Sequence, residues 1–282
     1  MDLSLPAPLR LTEALPDLAA WTALCLHAPL PVLAETAARI EELRAHEDEV
    51  DAHLLAQAIG HDPLMTLKLL AHVAAVRSTR SNADPETVTA ALVLLGIGPF
   101  FRVFGPQPSV DEHLAGQPDA LRGLHRVLCR SRRAATFALG FAVHRMDPDA
   151  PVLHAAALLN DFAEMLLWLH APGLALGIAQ TQRVDPTLRS AAVQRALLHV
   201  ELADLRRSLM RAWRLPELLA RIEDDRHADR PQVRNVRLAV RLARHTANGW
   251  HDPALDDDLR EIAALLNLAE VPTLHLLREI DG

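Results

Sequence analysis

The stretch AALLNDFAEMLLWLH, Ala156 to His170, sets an amide and a carboxylate, Asn160 and Asp161, inside an otherwise apolar run. Burying such groups costs free energy unless each finds a partner. Two chemistries meet that need: metal coordination, since the pattern is one letter from a His-Asp pair, or pairing with a cationic side chain. A helical metal pair needs two histidines three or four positions apart, so that both rings share a face. The chain has 15 histidines, but no two are closer than six positions. They read as scattered surface or half-buried residues. No HExxH, CxxC, GxSxG or phosphate-loop pattern is present. Gly96-Ile97-Gly98 lacks the rest of a nucleotide fingerprint and reads as a helix C-cap followed by Pro99.

Arginine spacing is more informative. Arg122, Arg126, Arg130 and Arg133 form one helical stripe, and Arg234, Arg237, Arg241 and Arg244 form another. Most such stripes are solvated faces paired with nearby acids. The sharper expectation is that some of these arginines turn inward, towards Asp161 or a bound anion.

The elements that must position these residues read as helices. Half of the 282 residues are hydrophobic, aromatics are 4%, and tyrosine is absent. A mix rich in Ala, Leu and Arg favours helix over strand. No segment alternates convincingly with period two, so the fold class is all-α. Asp-Pro occurs five times, at Asp62, Asp84, Asp147, Asp185 and Asp252. It suits a helix start, with Asp as N-cap and Pro in the first turn, and all but the Asp147 pair directly open an apolar-periodic run.

Helices are expected near 32–46, 51–60, 63–76, 85–96, 119–145, 151–169, 173–182, 186–213, 216–225, 231–249, 253–266 and 272–280. Gly98–Asp119 carries three Gly and four Pro and reads as a surface connection between two helical halves. The expected division is an N-terminal extension (1–27), an N-terminal helical subdomain (28–104), a linker (105–118) and a helical bundle with C-terminal helices (119–282).

Net charge is −7, so bulk electrostatics draws the chain to neither nucleic acid nor anionic membrane. Cys25 and Cys129 form no motif and suit a reducing compartment. No signal-peptide pattern opens the sequence, and no uninterrupted apolar run reads as membrane-spanning. The expectation is a soluble cytoplasmic protein.

Several ordered pieces then resemble the HDOD family, bacterial regulatory domains related to the HD phosphohydrolases. APLPVLAETAARIEEL (Ala28–Leu43) resembles its opening Leu-Pro segment and first helix. LLAQAIGHDPLMTLKLLAHVAAV (Leu54–Val76) resembles its helix, Asp-Pro and apolar helix with a central basic residue. TVTAALVLLGI (Thr87–Ile97) resembles the helix ending in Leu-Leu-Gly. APVLHAAALLNDFAEMLLWLHAP (Ala150–Pro172) stands where the family has its His-Asp helix, and HVELADLRRSLMRAWRLPELLARI (His199–Ile222) resembles the helix that follows. The likeness covers about residues 28–250. It implies a multi-helical HDOD-like fold, with an N-terminal helical subdomain packed on an HD-like bundle.

HD hydrolases hold metal with an upstream His, the His-Asp pair and a later Asp. By the resemblance these vestigial positions fall at Arg130, Asn160-Asp161 and near Arg244, and Ala163-Glu164 replaces a Gly-Lys. His199 and His227 are the nearby histidines that could correspond to others, and with Arg130 and Arg244 they are the candidate anion-facing residues. Asn is a poor stand-in for imidazole, and Arg cannot ligate a cation. The expectation is no catalytic residue, no metal and no cofactor. Arg130 or Arg244 is expected to take the metal's place beside Asp161. The function implied is a non-catalytic signalling domain contacting other signalling proteins, such as cyclic-dinucleotide or two-component proteins. The alternatives are an HD-type nucleotide phosphohydrolase with an altered site, and a sensor of an anionic nucleotide ligand.

Overall fold

A 27-residue helix, Pro118–His144, forms the axis on which the other elements pack. Proline opens it, Asp119 lies in its first turn and His144 in its last, each favourable to the helix dipole. Its buried face carries Ala120, Leu124, Val127, Leu128, Phe137 and Phe141, alternating large with small residues. The computed structural model describes residues 11–76, 85–185 and 187–282.

In chain order the helices are α1 (Leu18–His27), α2 (Ala34–Arg44), α3 (Ala52–Ile59), α4 (Pro63–Val76), α5 (Val88–Leu95), α6 (Ile97–Val103), α7 (Val110–His113), α8 (Pro118–His144), α9 (Ala150–Leu158), α10 (Phe162–His170), α11 (Pro172–Val184), α12 (Ser190–Leu198), α13 (Leu202–Ala212), α14 (Glu217–Glu223), α15 (Pro231–His245), α16 (Leu255–Leu266) and α17 (Glu270–Asp281). No strand occurs among the described residues, and a lone parallel bridge joins Val32 to Ser109. Helices α9, α10, α11, α15 and α17 pack around α8, and α2 to α6 form a second layer that meets the bundle where α4 touches α8 and α10.

The second layer is pinned at Asp62, which is fully buried. Its Oδ1 accepts from the backbone N–H of Leu64 (2.8 Å) and Met65 (3.1 Å), capping α4. Its Oδ2 accepts from Leu33 N–H at 2.8 Å, tying the start of α2 to the same carboxylate. One turn into α4, Lys68 Nζ donates to the Leu30 carbonyl at 2.8 Å and to the Gln107 side chain. The lysine thereby joins the two places where the chain crosses between layers.

The Gly/Pro-rich stretch is more than a surface connection. It contains α6 and α7, and Phe100, Phe101, Phe104, Val110 and Leu114 are buried. Gly96 (φ 86°) and a capping box at Ser109 and Glu112 mark the starts of α6 and α7. Glycine and proline here delimit short elements whose apolar residues fill the core. The stretch expected as an N-terminal extension contributes α1, which packs on α13, with Trp21 Nε1 donating to the Leu198 carbonyl at 2.9 Å.

Two expected helices are each divided. The 151–169 run breaks at residues 159–161 between α9 and α10. The 186–213 run breaks at His199, which caps α12 in the left-handed region (φ 63°). Asp62-Pro63 opens a helix as expected. Asp252 instead forms a turn ahead of α16, its side chain accepting from Ala254 N–H, and Asp185 bonds Thr187 ahead of α12. Asp84 lies outside the described residues. Ala150–His170 passes for a membrane span by length and composition alone, but Asn160, Asp161 and Glu164 interrupt it and 72% of that window is buried inside the molecule.

Candidate functional site

Asn160 and Asp161 occupy the break between α9 and α10. Short polar side chains compete with the backbone for hydrogen bonds and favour such turns over helix interiors. The Asn160 N–H reaches the Ala157 carbonyl at 3.2 Å, a tighter turn than an α-helix makes. Asp161 stands at the N-cap of α10 but makes no side-chain capping bond. Its carboxylate is used elsewhere.

That use is Arg130, on the central helix. Nε of Arg130 donates to Asp161 Oδ2 at 2.7 Å, and Nη2 lies 2.7 Å from the same oxygen. Nη2 also donates to Glu164 Oε2 at 2.7 Å. Asn160 Nδ2 donates to the other oxygen, Asp161 Oδ1, at 2.8 Å. Arg206, from α13, donates to the Asn160 backbone carbonyl and to its Oδ1 at 3.1 Å. One guanidinium therefore bridges two carboxylates, while a second holds the turn that presents them.

The side chains of Arg130 and Asp161 are only 19% and 10% exposed. Burial pushes Asp161 towards its neutral form. The charges of Arg130 and Arg244, the hydrogen bond from Arg130 and the charge of Arg206 outweigh it and hold the carboxyl below the usual range. Burial works against the Arg130 cation too, but Asp161 and Glu164 together raise its pKa.

This arrangement does not fit a metal ion. The carboxylates at the turn among the described residues, Asp161 and Glu164, are already engaged by a guanidinium that would repel a cation. Among the described residues, no three His, Cys, Asp or Glu side chains are placed to hold one.

Arg130, Asn160 and Asp161 thus come together as a unit. Arg244 is exposed on α15 and makes no hydrogen bond to Asp161, so it contributes only longer-range attraction. Neither of the two histidines joins the unit. His199 Nδ1 lies 3.1 Å from the Leu15 carbonyl, and His227 Nε2 lies 3.8 Å from Asp224.

The arginine stripes split. On α8, Arg122 pairs with Asp119 at the surface, whereas Arg130 and Arg133 turn inward, Arg133 onto Asp281 and the Thr246 carbonyl. On α15, Arg241 pairs with Asp258 and Glu261, and Arg237 Nε donates to the Ile222 carbonyl at 2.6 Å. Sequence reasoning did not single out Arg206 or assign Glu164 a partner. The available signal was the amphipathic pattern of α13, in which Arg206 flanks the buried Leu205 and Leu209 while Arg207 faces solvent.

A family model described as the HDOD domain matches residues 30–228. No curated protein matches. Among solved structures, the MmoQ response regulator from Methylococcus capsulatus str. Bath is similar, with TM-score 0.66, 21% identity, and coverage of 88% of this chain and 98% of its own. A virulence factor from Campylobacter jejuni subsp. jejuni is similar with TM-score 0.63, 17% identity, and coverage of 94% and 98%. At these identities the likeness concerns the fold.

Proposed function

The chain belongs to the HDOD family, and from that premise we propose that it is a non-catalytic signalling module acting through protein–protein contacts in the bacterial cytoplasm. One observation carries this reading: Arg130 sits between Asp161 and Glu164, where the HD hydrolases by resemblance hold metal. Hydrolysis by that mechanism needs a metal to polarise phosphate and generate hydroxide. A buried guanidinium supplies neither a coordination position nor a base. That the structurally similar MmoQ protein is a response regulator supports a signalling role. The partners proposed are other signalling proteins, cyclic-dinucleotide or two-component proteins among them.

The phosphohydrolase alternative loses its ligand set to these ion pairs. The sensor alternative, with Arg130 and Arg244 gripping an anion together, loses Arg130 to two intramolecular carboxylates. The test is hydrolysis of bis-p-nitrophenyl phosphate by the purified chain with added manganese, beside capture of partners from a native lysate. The expected result is no turnover above buffer and specific capture of a signalling protein. Turnover that disappears in Asp161→Ala would overturn the non-catalytic reading.

A further inference from the structure

A second site lies away from the Arg130 cluster, at the seam between the two helical layers. A cleft of about 450 Å³ opens between α3 and the start of α5 on one side and α8 and α9 on the other. That volume falls in the range of small-molecule pockets, which favour such junctions. Three histidines line it, His53 and His61 on the exposed rim and His154 on the half-buried wall. Thr66, with no exposed surface, also lines it, and its hydroxyl has no hydrogen-bond partner. An unpaired buried hydroxyl costs free energy that a bound acceptor would recover.

Burial and the nearby His61 push the pKa of His154 down, so it meets the cleft as a neutral imidazole able to donate one N–H. No Asp or Glu is among the described residues that line the cleft. Imidazole is neutral or positive, never negative. The first turn of α5 also borders it. Thr87 caps Ala90 N–H, and the N–H groups of Val88 and Thr89 have no partner among the described residues. Helix N-termini favour negative charge. At the rim, the Glu35 carboxylate is 3.8 Å from His61 Nε2 and is engaged by Arg132. Gln57, 3.0 Å from His53 Nε2, adds a polar edge, and Ala56, Val88, Leu139 and Ala155 supply an apolar wall.

We propose that this cleft binds a small organic anion, its charged oxygens held by His154, Thr66 and the first turn of α5, and its apolar body lying against the aliphatic wall. The ligand touches both helical layers and so reports its presence through their relative position. The inference is independent of whether the Asp161 turn is catalytic.

The test uses the full chain and three probes of one shape: phenyl phosphate, phenylacetate and neutral benzyl alcohol. Imidazole resonances of His53, His61 and His154 are followed by NMR during titration. Saturable shifts with a Kd below about 1 mM are expected for at least one anion and not for the alcohol, and the preferred anion identifies the head group. Absence of binding by both anions, or equal binding of the alcohol, overturns the proposal. Thr89→Glu places a carboxylate at the mouth, in a helix turn that tolerates acids, and should weaken binding at least about tenfold, whereas Thr89→Gln should retain it. His154→Leu should also weaken binding at least about tenfold, as loss of a charge-assisted hydrogen bond does. Unchanged affinity in folded Thr89→Glu overturns the assignment.

Discussion

Two buried aspartates in this molecule solve one problem in opposite ways. Asp62 is hydrogen-bonded by backbone: three N–H groups from the starts of α2 and α4 point at it, and the Lys68 ammonium acts on it only at longer range. Asp161 is surrounded by side chains, with Arg130 on one oxygen and Asn160 on the other. Backbone donors carry partial charge, and at Asp62 they do not offset burial, which pushes its pKa up. Full cations do offset burial at Asp161, whose pKa is pushed down. Held by amides, the Asp62 carboxylate fixes the starts of two helices, α4 directly and α2 from 29 residues away. Held by guanidinium, the Asp161 carboxylate joins the middle of α8 to the start of α10.

The sharpest way to break this contrast is Asp161→Ala. Removing one partner of a buried pair costs about 3–5 kcal/mol when the other charge is stranded, and because Glu164 still pairs with Arg130 the loss should fall at the lower end of that range. Denaturant unfolding should show that loss, and Arg130→Met combined with Asp161→Ala should recover more than half of it. A cost under about 1 kcal/mol, typical of an exposed pair, would mean that the two residues do not form a buried pair in solution. Next in size is Asp62→Asn. It keeps one acceptor oxygen but turns an NH2 towards one of three N–H donors, which should cost about 1–3 kcal/mol. That loss should be insensitive to salt.

The pH dependence should differ in sign. The folded pKa of Asp161 lies below its unfolded value, so its stabilisation is present above the ordinary carboxylate range and is lost as pH falls through the folded pKa. The folded pKa of Asp62 lies above its unfolded value, so its contribution is greatest below that range and declines as pH rises through the folded pKa. Unfolding free energies measured from pH 3 to 6, as differences between the wild type and each Asn variant, should slope in opposite directions. Parallel slopes would abolish the distinction. The smallest effect is expected at Arg244→Gln. An exposed cation acting at longer range should contribute less than about 1 kcal/mol, and salt should screen it.

The same contrast explains what the sequence makes legible. Asp62-Pro63 is a local signal, since the cap and the two α4 N–H groups it satisfies lie within three residues, and α4 starts at Pro63 as expected, whereas its bond to Leu33 N–H, 29 residues away, had no local signature. The Asp161 partnership spans 31 residues and was legible only as a need for a cation, narrowed by resemblance to Arg130 or Arg244; the structure selects Arg130. The amphipathic pattern of α13 turns Arg206 towards the interior, but its target was illegible, because it serves a carbonyl exposed by the break at 159–161. Apolar periodicity runs through that break without interruption. Helices α6 and α7 were missed because Gly and Pro masked the apolar residues between them. His199 looked like a site residue by position, but it takes the left-handed conformation that ends α12.

The contact between Val32 and Ser109 has a mechanical consequence. Helix α1 is packed on the bundle, so the chain passes between the layers twice, once entering α2 and once leaving for α8. Both passages run side by side, bonded from Val32 N–H to the Pro108 carbonyl (3.0 Å) and from Val110 N–H to the Val32 carbonyl (2.8 Å), and Lys68 rivets them together. A door hung on one edge can swing but cannot drift from its frame. The paired crossings give the α2–α6 layer such a hanging edge, and rotation about that line would have to break the bonds from Arg132 of α8 to Glu35 and the His61 carbonyl.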